Sequence, residues 1–112
     1  MLRIPWDLTE AVMLVNAFYQ NNQSTSFEVD YLHKLHTMFL HRASNLNIKH
    51  DEKYRNIPGL KMQLECVRYV VTEGNLGMPN ASKVFYEAVR LYKENHMQFE
   101  KLLQEFLSAA QK

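Results

Sequence analysis

Among the residues able to do chemistry, the histidines and the single cysteine come first. His33 and His36 stand three apart, a spacing that sets two imidazoles on one helix face within reach of a metal ion, with His41 further along. A zinc site needs three or four ligands and further groups to orient them, and the alternative is that these are surface or half-buried helix residues. No metal and no cofactor is therefore expected. Cys66 lies among Met62, Val67 and Val70, which predicts a buried, unreactive thiol. Gly74 and Gly77 lack the strand-to-helix setting of a phosphate loop, and the carboxylates are scattered along polar faces. No catalytic residue is expected, and a binding module is the better class than an enzyme.

The cations form the most suggestive pattern. Lys53, Arg55, Lys61 and Arg68 fall along one side of an apolar helix and its approach, with Arg42, Lys49 and His50 as further basic residues. Asn56 and Gln63 add side chains able to pair with base edges or phosphates. Further on, Asn80, Ser82 and Lys83 stand at a helix start, where free N–H groups and the helix dipole favour an anion. Nucleic acid is the partner that this chemistry fits. The plainer reading is a solvated ridge in which Glu65 pairs with Lys61 or Arg68, and in which Asn56 and Asn80 are helix caps.

The elements that must position these residues are helical. Asn56 predicts an N-cap, Pro58 suits the first turn, and Leu60, Leu64, Val67 and Val71 share one face. Met62, Cys66, Tyr69 and Val70 widen that face until only Lys61, Glu65, Arg68 and Thr72 remain polar. This predicts a central helix over about 57–73, closed by Gly74 at its C-terminal cap. Asp7 with Glu10 forms a capping box ahead of a first helix over Leu8 to Gln20, with Trp6 packing back on its first turns. Thr25 and Glu28 repeat that spacing and predict a second helix from Ser26 to Asn45. Asn80 caps a fourth helix from Ala81 to about Glu94. Asn95 breaks the pattern before a fifth from His96 to about Ala110, whose stripe runs Phe99, Leu102, Leu103, Phe106, Leu107, Ala110.

Composition agrees. The 112 residues make one domain, 1–112, and 46% of them are apolar, enough for a core; three Gly and three Pro leave little room for a turn-rich β protein. The net charge of +1 gives no global field, so DNA binding needs a local patch. One cysteine excludes an internal disulfide, and no apolar run reaches the length of a membrane span. With MLRIPWDLTE unlike a signal peptide, a cytoplasmic protein is expected.

In order and spacing the sequence resembles a helical domain that accompanies bacterial HNH-nuclease and restriction-type proteins. The resembling residues are Trp6, Glu10, Ala11 and Tyr19, then Arg55-Asn56, Met62, Leu64 and Tyr69, then Gly77, Asn80-Ala81-Ser82-Lys83, Glu87 and Tyr92. The opening Trp, an acidic first helix and a later helix entered through an Arg also resemble homeodomain-like and Myb-like domains, whose third helix reads the major groove. The resemblance implies an all-α bundle of four to five helices with a helix-turn-helix-like core. It also implies contact with double-stranded DNA through Arg55, Asn56, Lys61 and Arg68. One departure is the long connection from Asn45 to Asn56. No nuclease module follows within the 112 residues, so the resemblance implies the recognition part without the catalytic part, either a stand-alone protein or an excised domain, with a nuclease or a second copy as partner. The alternative is a protein-interaction or homodimerisation module using the apolar face of the fifth helix.

Overall fold

The computed structural model describes residues 4–111 and contains five helices and no strand among them. They are α1 (Leu8–Gln20), α2 (Val29–Asn45), α3 (Ile57–Val71), α4 (Lys83–Glu94) and α5 (His96–Ala109). The protein is an all-α bundle, as its periodicity predicts. Two of the helix starts follow the local cap chemistry closely. The Asp7 carboxylate accepts from the Glu10 N–H at 2.8 Å while the Asp7 N–H donates back to Glu10, a complete capping box. Asn56 Oδ1 accepts from the Gly59 N–H at 2.9 Å, with Pro58 in the first turn. Asn95 separates α4 from α5 and accepts from the Gln98 N–H more loosely, at 3.3 Å.

Two other starts differ from expectation. Helix α2 begins at Val29 with Glu28 in the cap position, so the Thr25–Glu28 pair makes no capping box. Helix α4 begins at Lys83 with Ser82 in the cap position. Asn80 is not its cap: it sits at φ 75 in the preceding turn, a left-handed conformation that Asn tolerates better than most residues. The end of α3 is shifted as well. Glu73 (φ 54) takes the left-handed position, its N–H bonding the Val70 carbonyl, and the Gly74 N–H bonds that of Tyr69 at 2.8 Å.

Packing follows from which faces are apolar. Helix α1 is buried most completely, from Glu10 through Val15 and again at Ala17 and Phe18, and packs against α3, α4 and α5. Helix α3 packs against α1, α2 and α4, leaving Lys61 and Met62 exposed. Trp6 reaches beyond the first turns of α1: its ring lies 5.6 Å from Phe39 of α2 and 5.7 Å from Phe85 of α4. The α5 stripe faces inward. Phe99 and Phe106 are fully buried, Leu103 and Ala110 nearly so, and Phe106 packs on Phe39 at 4.9 Å. Burial of each such large side chain stabilises by roughly 1.5–3 kcal/mol. That face is therefore part of the core and is not a free surface for a partner or a second copy.

Candidate nucleic-acid interface

The entrance to α3 is where sequence and structure diverge most. Arg55 points into the protein, not towards solvent. Its Nε donates to Glu10 Oε2 and its Nη2 to Glu10 Oε1, both at 2.8 Å, a two-pronged pairing. Nη1 and Nη2 also donate to the carbonyls of Ile4 and Pro5 at 3.1 Å. The guanidinium lies 4.0 Å from the Trp6 ring and 4.5 Å from that of Tyr54. A residue predicted to contact DNA is thus the pin that fastens the α2–α3 connection and the N-terminal lead-in to α1. The physical reason is Glu10, whose side chain is 1% exposed and demands a cation.

Arg42 of α2 completes the cluster. Its Nη2 donates to Asp7 at 3.0 Å, its Nη1 lies 3.9 Å from Glu10, and its plane covers Phe106 at 5.5 Å. Two carboxylates, buried Glu10 and half-exposed Asp7, meet two guanidiniums, so the charge of the cluster as a whole balances. Tyr54 donates its hydroxyl to Glu10 at 3.2 Å, and His50 stacks on its ring. Burial first, then the neighbouring Glu10 charge, pushes the Tyr54 phenol from 10 up to about 12. The sign follows. The folded state holds this proton more tightly than the unfolded chain, so the stability it contributes is complete below pH 10 and is lost as pH rises towards 12. Ultraviolet titration of tyrosinate should show Tyr54 ionising late, and Tyr54→Phe should remove that late part. A Tyr54→Phe titration unchanged above pH 10 would contradict this.

The remaining predicted residues divide. Asn56 uses its Oδ1 as a cap. Arg68 pairs with Glu65 at 2.7 Å, which leaves the ridge locally neutral. The α3–α4 connection then folds back along that ridge. The Met78 N–H donates to the Glu65 carbonyl at 3.1 Å, and the Thr72 hydroxyl accepts from the Leu76 N–H at 3.0 Å. Gln63 is half-buried. Lys53, Lys61, Asn80, Ser82 and Lys83 are exposed. None of the three lysines makes an ion pair with a described residue. Asp51 and Glu52 adjoin Lys53, so Lys61 and Lys83 carry the less opposed positive charge.

The α3–α4 connection sets the start of α4, with Asn80, Ser82 and Lys83, alongside α3. Met78 and Pro79 lie beside Glu65 and Cys66. From there α4 runs alongside α3, so that Tyr69, Val70 and Glu73 share a groove with Tyr86, Val89 and Lys93. Helix α4 therefore runs in the same direction as α3 and begins beside its middle, near Glu65 and Cys66. Trp6 joins the two starts, touching Arg55 on one side and Phe85 on the other. The Ser82 side chain makes no cap bond, which leaves first-turn N–H groups of α4 open to an anion.

No family model, no curated protein and no solved structure matches this chain. Among the described residues no three His, Cys, Asp or Glu side chains are grouped to hold a metal. His33 is exposed, whereas the Nδ1 of His36 lies 2.9 Å from the Arg55 carbonyl oxygen. Burial raises the Cys66 thiol above its usual range, which keeps it protonated at neutral pH. No helix among the described residues is long and apolar enough to cross a membrane. The buried Glu10–Arg55–Arg42 cluster is what sequence reasoning missed. A signal for it was present: Glu10 shares the helix face of Leu14 and Ala17, and Arg42 continues the Leu32–Leu35–Phe39 face.

Proposed function

We propose that this domain is a non-enzymatic module that binds double-stranded DNA in a bacterial restriction or defence setting, in the cytoplasm, with a nuclease as its partner. The DNA-facing end is the one that carries Lys61 and the start of α4. The reading is carried by Lys61 and Lys83, both exposed and without an ion pair among the described residues, together with an α4 N-terminus that has no side-chain cap. Lys61 and Lys83 anchor phosphates. Ser82 and the first N–H groups of α4 receive another, and Asn80 and Gln63 are left to meet base edges. Lys53 lies at the margin. The residues that carry the resemblance to restriction-associated domains, Trp6, Glu10, Arg55-Asn56 and Asn80 to Lys83, are those that assemble this end. Several of them act by building it, not by touching DNA.

Binding of a labelled mixed-sequence duplex at low and moderate salt tests this. Phosphate contacts make affinity fall with salt, and each lost lysine contact lowers the slope of log K against log salt by about one. Lys61→Ala/Lys83→Ala should keep the fold, since both side chains are exposed, and lower that slope by about two. Absence of salt-dependent binding in the parent protein, or an unchanged slope in the variant, would reject this interface.

A further inference from the structure

Met62 and Met78 are 47% and 43% exposed, and they line one groove of about 550 Å³. Its other walls are Lys61 and Glu65 of α3 and the stretch Thr25, Ser26 and Phe27 between α1 and α2. The walls are held in place. The Met78 N–H is bonded to the Glu65 carbonyl, and Phe27 is stacked on Tyr31 at 5.6 Å. The groove is open to solvent along its length, and its volume falls in the range of ligand sites. An aromatic ring and two polarisable thioethers suit a flat, unsaturated occupant. The charge is one-sided. Glu65 is tied to Arg68 at 2.7 Å, whereas Lys61 at the rim has no ion pair among the described residues. The complementary ligand is a planar ring that carries an anion on a short tether.

An unstacked nucleobase with its own phosphate has this chemistry. We infer that the groove receives an unpaired base of the bound DNA, with Phe27, Met62 and Met78 against the base and Lys61 on its phosphate. This rests on the DNA-binding reading above. It is favoured over an acidic peptide by continuity: Met78 leads directly into Asn80–Lys83, and Lys61 belongs to both the groove and the proposed DNA-facing end. Thr25 and Ser26 line the groove and carry hydroxyls of the kind that pair with a base edge.

A base must leave its stack to enter, and that step costs least where the base has no pair. A duplex carrying one unpaired 2-aminopurine should therefore bind about tenfold more tightly than a matched duplex of equal length, and its fluorescence should change on binding. Met62→Ser/Met78→Ser should abolish both the preference and the fluorescence change and leave matched-duplex affinity as it was. Its fold, checked by circular dichroism, should persist because both side chains are half exposed and the Met78 backbone bond is kept. Equal binding of the two duplexes by the parent protein would overturn the groove's role and leave the DNA-binding reading standing. A preference that survives in the variant would also overturn it. No binding of either duplex at low salt would remove both.

Discussion

Arg55→Ala should cost about 3–5 kcal/mol of folding stability, because it leaves a buried carboxylate without its cation. A domain of this size has about 5–15 kcal/mol in total, so the variant will be marginal at best. Glu10 is 1% exposed and would keep only Tyr54, the Asp7 N–H and the more distant Arg42 as partners. The Ile4 and Pro5 carbonyls would lose their donors, and the Trp6 ring its cation. Urea unfolding should show a large fall in midpoint with little change in slope. Arg42→Met is the informative companion. Arg42 bonds Asp7, whose side chain is 49% exposed, and its Nε and Nη1 make no hydrogen bond to a described residue. Methionine can keep its packing on Phe106, so the loss should stay within about 2 kcal/mol. An Arg55→Ala protein with an unchanged midpoint would return Arg55 to the surface and undo the reading of this cluster. The same result governs the test of the proposed DNA binding: Arg55 substitutions would act on it through lost stability, so Lys61 and Lys83 are the residues to replace.

What was legible in the sequence is what depends on neighbours three or four residues away. The caps at Asp7, Asn56 and Asn95 are local bonds, and the helices they open start where those residues indicate. The apolar faces of α1, α3 and α5 are local periodicities and reappear as the core. Thr25–Glu28 has the same local form as Asp7–Glu10 yet makes no cap. There the chain from Ser24 to Ser26 is held in a turn, with the Asn21 amide bonding the Ser24 and Ser26 carbonyls. Arg55 shows the harder limit. Its partner lies far away in sequence, and exposed and buried arginines look alike until a buried carboxylate is located. The fate of the Lys61–Glu65–Arg68–Thr72 ridge was hidden for a related reason: it depends on the α3–α4 connection doubling back, which no helical periodicity records.

Gly77→Ala tests that doubling back and should be the second most damaging change, at about 2–5 kcal/mol from left-handed strain and steric overlap together. Gly77 has φ +93, and a Cβ there would stand 2.3 Å from the Glu65 carbonyl oxygen and 2.6 Å from the Tyr69 nitrogen. Both are backbone atoms of α3, so no side chain can swing aside to make room. The connection would have to lift, breaking the bond from the Met78 N–H to Glu65 and the neighbouring pair between Leu76 and Thr72. Gly74 is a useful contrast: it too has positive φ, but a Cβ would meet only the Tyr69 ring at 3.5 Å. Gly74→Ala should therefore cost about 1 kcal/mol, from conformation alone. Thermal unfolding of the two variants separates them, and equal, small losses would mean that close approach at Gly77 does not hold the connection. The functional consequence is specific. The connection fixes where α4 begins, so if the proposed DNA binding holds, a partly folded Gly77→Ala protein should lose the Lys83 contribution to it, whereas Gly74→Ala keeps it.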